Sequence, residues 1–165
     1  MSITPQQAAR QLLKLKSAEE DFLGFVKLMY PKWELPEFHL KMIDALDRLE
    51  KNTLTSHFGL EEADRRKTEK VPVRNVLITM PPRHGKSTYG SVIFPAYFMA
   101  KKPNRFMMST SYNSQLAQDF GRQVRDMVNE PQVPQVFPDF EMSQDSRAVD
   151  QWRTTSGGAA YFIGV

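Results

Sequence analysis

The sequence predicts an α/β fold in which a parallel sheet, flanked by helices, follows an N-terminal helical region. Three observations predict it. Apolar residues recur at helical spacing through roughly the first fifty residues. Two short apolar runs, 73–80 and 105–110, have the character of strands, and each is followed by a helical pattern. Because strands that alternate with helices form parallel sheets, the region 73–165 is predicted to contain one.

Capping signals place the predicted helices of the N-terminal region, 1–52. Thr4 precedes a proline, and a hydroxyl followed by proline is typical of a helix start. Ser17 has Glu20 three residues later, a capping-box pattern that predicts a second helix start. A third helix is predicted to open at Pro36, because apolar residues after it recur at offsets of three and four.

The region 53–72 is rich in charged residues and has no clear periodicity, which predicts a charged connecting loop. Its basic cluster at 65–67 is interpreted as part of a solvated face rather than as a DNA contact. Beyond it, a helix with a kink at Pro95 follows the first strand, and a second helix at 113–129 follows the second strand. The stretch 131–148 is predicted to be mostly irregular. The chain then ends in a hairpin around Gly157-Gly158.

Composition limits the classes of function. The chain has 165 residues, 41% hydrophobic and 25% charged, which is ordinary for a globular protein. It has no cysteine, so disulfides, thiolate metal sites and thiol catalysis are excluded. The formal charge of +3 permits a nucleic-acid partner without indicating one. No secretory signal or membrane-spanning run is visible, so an intracellular protein without a membrane partner is expected.

The segment ITMPPRHGKST, residues 78–88, carries the chemistry. A phosphate-binding loop needs inward backbone N–H groups, a following helix N-terminus, a lysine for the outer phosphates and a hydroxyl for magnesium. Gly85, Lys86 and Ser87 supply these in the required order, and Thr88 is a second hydroxyl candidate. Met80 stands where the motif has its leading glycine. The alternative is a chance Gly-Lys-Ser after two prolines that merely end a strand.

Two further residues lie inside this segment. Arg83 could reach a γ-phosphate and stabilise charge during phosphoryl transfer, as an arginine finger does. Its alternatives are a structural salt bridge or a solvated loop position. His84 is assigned no specific role. The predicted nucleotide contacts are the seven residues from the second proline onward: Pro82, Arg83, His84, Gly85, Lys86, Ser87 and Thr88.

Four stretches together resemble the ATPase domain of the large terminase subunits of tailed bacteriophages. They are PPRHGKST, GSVIFPAYFMAKKP, RFMMSTSYNSQLAQDFGRQVRDMV and WRTTSGGAAYFIGV, and the resemblance runs from about residue 36 to residue 165. In that family Pro-Pro-Arg often precedes the Gly-Lys-Ser and the leading glycine is often replaced. The resemblance therefore implies an incomplete P-loop NTPase-type parallel sheet, with 73–165 as the front portion of the ATPase domain.

The resemblance also implies a function and a set of roles. The family is an ATP-driven motor that moves double-stranded viral DNA into a capsid through the portal protein. It works in the host cytoplasm as a ring homo-oligomer with a small terminase subunit. By resemblance, ATP and Mg²⁺ are the cofactors, Lys86 binds the β- and γ-phosphates, Ser87 ligates magnesium, and Arg83 senses or stabilises the γ-phosphate. The expectation that the bound nucleotide is ATP rather than GTP comes from the family alone.

Two other segments match stretches of the family. Glu37-Phe38-His39 resembles the upstream stretch near the adenine, although a packed phenylalanine and a solvated histidine explain it as well. Ser109-Thr110-Ser111-Tyr112 resembles the loop that couples the ATP site to DNA, with a helix-capping turn as the alternative.

The main departure from the family is a missing acidic strand. The family has an apolar strand that ends in paired acids, one for magnesium and one for the attacking water, and then a nuclease domain; neither is recognised here. An apolar pair followed by an acid lies in 136–139, and its proline makes it a poor core strand. We therefore expect a truncated or prophage-derived portion that binds nucleotide without efficient hydrolysis.

The incomplete sheet is also expected to leave an exposed edge. Whether the chain is an enzyme is left open. Two alternative functions remain at this stage: a fragment of a helicase-like nucleic-acid translocase, and a non-catalytic interaction module.

Overall fold

The computed structural model describes residues 4–54 and 75–165, and it is an α/β structure with a four-stranded mixed sheet and flanking helices. The helices are α1 (Pro5–Glu20), α2 (Phe22–Met29), α3 (Glu37–Glu50), α4 (Phe94–Lys101), α5 (Ser114–Val128) and α6 (Val133–Val136), and a π-helix (Thr88–Ile93) leads into α4. The strands are β1 (Phe106–Ser111), β2 (Met142–Arg147), β3 (Gln151–Thr154) and β4 (Ala159–Gly164). Most of the predicted connecting loop, including the basic cluster at 65–67, lies outside the described residues.

The sheet is mixed rather than parallel, with strand order β1-β4-β3-β2. β1 and β4 run parallel, with Phe106 opposite Ala159. The pairs β4–β3 and β3–β2 are antiparallel. The predicted parallel sheet is therefore confirmed only in part: one pair is parallel, the antiparallel pair β3–β4 is the predicted hairpin, and the antiparallel pair β2–β3 was not predicted. The reason is connection length: a short turn can join antiparallel strands, whereas a parallel pair needs a long crossover, which here contains α5.

The predicted strand before the loop is not formed in its described part, 75–80. Ile78 and Met80 pack against the core, while Leu77 is 89% exposed. This segment is therefore covered on one face, and the prediction of a strand buried on both faces is wrong for it. A strand needs a neighbour to receive its backbone hydrogen bonds, and no described strand pairs with 75–80.

The first helix start is confirmed and the second is wrong. Thr4 and Gln7 form a reciprocal capping box at the start of α1. α1 then continues through Ser17, and Asp21 caps α2 by accepting a hydrogen bond from the Gly24 N–H at 2.6 Å. A Cβ on Gly24 would lie 2.2 Å from the Ser17 carbonyl oxygen, so the two helices meet closely there. The third predicted helix is confirmed, since α3 begins directly after its proline N-cap.

An aromatic core holds α2 against α4. Phe22 and Phe25 of α2 lie 5.3 and 5.4 Å, between ring centroids, from Tyr97 of α4. All three side chains are fully buried. Aromatic pairs at this separation add to the stability from buried area. Among the described residues, no helix combines the length and apolar character needed to cross a bilayer.

The helix that follows the loop begins as a π-helix. The Phe94 N–H bonds the Tyr89 carbonyl five residues back, and Pro95 then occupies the first turn of α4. In a continuous α-helix the Pro95 ring would clash with the carbonyl four residues before it, and the wider π-helical turn accommodates the proline. The predicted helix is therefore confirmed, with a π-helix ahead of Pro95.

The C-terminal helix and hairpin match their predictions. Asn113 caps α5 by accepting a hydrogen bond from the Leu116 N–H at 2.8 Å, and β3 and β4 flank the predicted Gly157-Gly158 turn. On α5, Val124, Met127 and Val128 are buried, as are Ala117 and Gly121, while Leu116 and Phe120 are half-buried. β2 and α6 lie in the stretch predicted to be mostly irregular.

Gly121 provides a test of this packing. A Cβ at this position would lie 2.0 Å from the Val149 carbonyl oxygen and 2.9 Å from the Phe162 ring. We expect Gly121→Ala to lower the free energy of unfolding by about 1–3 kcal/mol in urea denaturation, because the helix must move off β4. The control is Gly90→Ala, where a Cβ would meet nothing within 4 Å and no destabilisation is expected. Equal stability of both variants would contradict the packing described here.

Candidate phosphate-binding site

The predicted loop lines a cavity of its own. A space of about 360 Å³ is bounded by residues 80–88, all of which belong to the sequence motif. The half-covered segment 75–80 leads into it, and helical structure begins at Lys86. The residues predicted to contact a nucleotide are thus brought together around one concave surface.

Gly85 shapes the exit of the loop. Its φ of +76° lies in the left-handed region, which glycine adopts without steric cost. Its carbonyl accepts a hydrogen bond from the Tyr89 N–H at 3.0 Å, so Gly85 is the N-cap of the helical segment. The amides that follow it, Lys86 to Thr88, therefore have no partner within the helix. Such a helix N-terminus favours an anion.

Arg83 is the second left-handed residue of the loop, with φ +64°. A non-glycine residue in this region costs about 1–2 kcal/mol, so the surrounding contacts must hold it there. When left-handed residues alternate with others in a short segment, as Arg83 and Gly85 do here, the backbone N–H groups turn towards the same concave side. The side chain is exposed, and no ion pair involves it among the described residues. The salt-bridge alternative is therefore not seen in this part of the chain.

The two histidines near the loop both bond its backbone. His84 Nδ1 lies 2.8 Å from the Pro82 carbonyl oxygen, and His39 Nε2 lies 2.8 Å from the His84 carbonyl oxygen. Since a carbonyl can only accept, each of these ring nitrogens carries a proton and donates it. The sequence assigned no role to His84, and the structure places it in a hydrogen-bonded position within the loop.

An aromatic cluster joins α3 to the loop. Phe38 lies 5.9 Å from His84 between ring centroids, and the His39 and Tyr89 rings are 4.7 Å apart. Tyr89 is buried, its hydroxyl is 3.5 Å from His39 Nδ1, and burial raises its pKa. The hydroxyl therefore stays protonated and can donate to that nitrogen. The resemblance singled out the segment with Phe38 and His39, whereas no sequence signal selected Tyr89.

The side chains for phosphate and magnesium have different surroundings. Lys86 and Ser87 are exposed, and Thr88 is half-buried. Exposure leaves the Lys86 ammonium and the Ser87 hydroxyl accessible to a ligand in the cavity. Within the part of the chain that the structure describes, no three His, Asp or Glu side chains are grouped to hold a metal ion. The side-chain oxygen available to Mg²⁺ in the loop is therefore a hydroxyl, with Ser87 the predicted ligand.

Family models, curated proteins and solved structures gave no match to this chain. The assignment to the large terminase subunits stays a prediction from the residues quoted above.

Two other segments singled out by the sequence lie outside the loop cavity. Ser109, Thr110 and Ser111 belong to β1, and Asn113 rather than one of them caps the next helix. The capping-turn alternative is therefore wrong, and the role in coupling to DNA stays a prediction. The stretch 136–139 begins at the end of α6 and contains no strand, in agreement with its proline.

Proposed function

We propose that this chain is the ATP-binding part of a viral DNA-packaging motor, a large terminase subunit, and that it binds nucleotide without efficient hydrolysis. One observation carries the proposal. The motif residues line an open cavity of about 360 Å³ that includes the first residues of the following helix, with Gly85 in the left-handed conformation that the turn requires. Backbone N–H groups in this arrangement bind phosphate.

The proposed roles follow from the chemistry of each side chain. Lys86 is a cation placed at the first helical position, where it can bind the β- and γ-phosphates. Arg83 can reach the outer phosphate from within the loop. Magnesium commonly binds through substrate phosphates and water, so Ser87 would complete its coordination once ATP is present. In the family, hydrolysis depends on acidic residues that are not recognised in this sequence. Turnover of ATP by this chain alone is therefore expected to be slow.

The proposed partners come with the family assignment. They are double-stranded viral DNA, a small terminase subunit and the portal protein, met in the host cytoplasm by a ring of motor subunits. The P-loop NTPase type of sheet is likewise part of the proposal.

The proposal is tested by titrating Mg-ATP into the chain in a calorimeter, with phosphate release assayed on the same samples. Binding with little or no turnover is expected. A parallel titration with magnesium pyrophosphate asks whether the loop recognises phosphate independently of the base. If neither ligand bound, the segment 78–88 would not be a phosphate site and the proposal would be rejected.

A second candidate function is an interaction module, and the exposed edge of the sheet favours it. β1 pairs with β4 on one side, and no described strand pairs with its other side. Phe106 and Met108 of β1 are 70% and 65% exposed. An uncovered apolar edge is a site for strand addition. This function predicts that association with motor subunits or a small terminase partner survives Lys86→Ala, and loss of association in that variant would exclude it.

A further inference from the structure

We propose that His39 is a positioning residue of the phosphate loop, which fixes the direction of a loop amide and does not itself contact the nucleotide. This inference rests on the proposed nucleotide binding. It concerns a side chain on α3, 45 positions before the loop residue that it bonds.

The first step is the proton on His39. Its Nε2 donates to the His84 carbonyl oxygen at 2.8 Å, so in the neutral ring Nδ1 holds the lone pair. The Tyr89 hydroxyl lies 3.5 Å from Nδ1 and can donate to it. Tyr89 follows the loop directly and is buried. His39 is thus held between the loop backbone and the first turn of the following helix.

The second step is the geometry of the peptide bond. No cis peptide bond is present among the described residues, and in a trans peptide the C=O and the next N–H point in opposite directions. Holding the His84 oxygen on His39 therefore turns the Gly85 N–H to the side away from α3. The bond from His84 Nδ1 to the Pro82 oxygen sets the Arg83 N–H in the same way. Two histidines thereby fix two loop amides.

The third step is the rigidity of the support. Met42, Ile43 and Leu46 of α3 are buried in the core, which fixes the helix that carries His39. A Cβ on Gly85 would lie 3.3 Å from His39 Nε2 and 3.2 Å from the Tyr89 ring, so both side chains also pack against the loop. A loop held in its binding conformation loses less freedom when a ligand binds, and its affinity is higher.

The experiment compares His39→Ala and His39→Gln with the unchanged chain, using magnesium pyrophosphate and Mg-ATP as separate probes. His39→Ala is expected to weaken the binding of both probes by about tenfold, the size of one lost hydrogen bond. His39→Gln keeps an N–H donor near the Nε2 position and should recover most of the loss. The control is Lys41→Ala, which changes an exposed residue on the same helix. This variant should bind both probes as tightly as the unchanged chain.

Two outcomes of the titrations would overturn the inference. A loss confined to Mg-ATP would mean that His39 contacts the base rather than orienting the loop. Unchanged affinity for both probes in His39→Ala would mean that the loop needs no support from α3.

A measurement without ligand separates this inference from the proposed function. Hydrogen exchange of the Tyr89 amide, which bonds the Gly85 carbonyl at the end of the loop, should accelerate in His39→Ala and return towards the unchanged rate in His39→Gln. If the unchanged chain bound neither probe, the proposed function would fail while the exchange result still decided whether His39 holds the loop. Equal exchange in all three proteins would reject the positioning role.

Discussion

Replacement of Lys86 by alanine is expected to weaken Mg-ATP binding by about 10- to 100-fold. Hydrogen bonds to charged groups contribute about 1.5–3 kcal/mol each, and 1.4 kcal/mol corresponds to a tenfold change in affinity. The side chain is exposed at the start of the helical segment, beside the cavity lined by the motif. The proposed contacts with two phosphates place the effect towards the upper end of that range. Calorimetric titration of the variant beside the unchanged chain gives the ratio of affinities.

The matched control for Lys86→Ala is Lys41→Ala. It removes the same charge from an exposed lysine, which pairs with Glu37 at 2.8 Å and lies outside the cavity. An exposed ion pair of this kind contributes little to stability, so the control should fold and bind normally. Equal affinities of the two variants would show that Lys86 contributes only net charge, and the phosphate-binding assignment would then lose its central residue.

Helix ends set by local capping could be predicted from the sequence. Thr4 and its glutamine three residues on, and the region of Asn113, are short-range signals that involve only neighbouring backbone amides. The start at Ser17 was wrong although its pattern is equally good. Tertiary packing decided there, because α1 continues across Ser17 so that Gly24 can approach it, and Asp21 becomes the cap.

Strand pairing could be predicted less well than helices. The hairpin around Gly157-Gly158 has a turn signal within the segment, and it is present. β2 has the sequence MSQDSR, in which polar residues dominate, so its composition does not predict a strand. It is a strand because its backbone pairs with β3. The run before the loop has strong strand character, yet no strand among the described residues pairs with its described part. Pairing depends on residues distant in sequence, which local patterns do not encode.

The candidate site was likewise predictable where its residues are neighbours in sequence, and not where they are distant. The residues from Pro82 to Thr88 are contiguous, so one motif identified all of them and they line one cavity. The hydrogen bond from His39 spans 45 positions, and no spacing rule connects the two segments. The resemblance selected the neighbourhood of His39 but implied a contact with adenine. Its bond to the loop backbone emerges only from the packing of α3 against the helix that carries Tyr89.

A buried ion cluster joins three of the helices. Glu50, the last residue of α3, has a side chain only 2% exposed. Lys102 lies 2.5 Å from its Oε1, and Lys101 of α4 lies 3.5 Å from its Oε2. Lys101 also donates to the Glu20 carbonyl at the end of α1 and to the Tyr97 hydroxyl. Burial, followed by the charge of Glu50, raises the pKa of Tyr97, so its hydroxyl stays neutral in this cluster.

Glu50→Ala is expected to lower the free energy of unfolding by about 3–5 kcal/mol, because removing one member of a buried ion pair leaves the other charge uncompensated. The two lysines keep partial contact with solvent, 22% and 34% exposed, which places the loss towards the lower end of this range. Chemical denaturation monitored by circular dichroism measures the change. The same variant should lower the pKa of Tyr97, since the Glu50 charge is one of its causes.

Two further variants separate the ion pair from a general effect of removing a carboxylate. Glu50→Gln keeps the shape and an oxygen that can accept from Lys102, so its loss should be smaller than that of Glu50→Ala. Glu19→Ala removes an exposed carboxylate from α1 and should leave stability within about 0.5 kcal/mol. If Glu50→Ala were no more destabilising than Glu19→Ala, the ion cluster would not be what joins α3 to α4, and α3 would be held in place by its packing against α2.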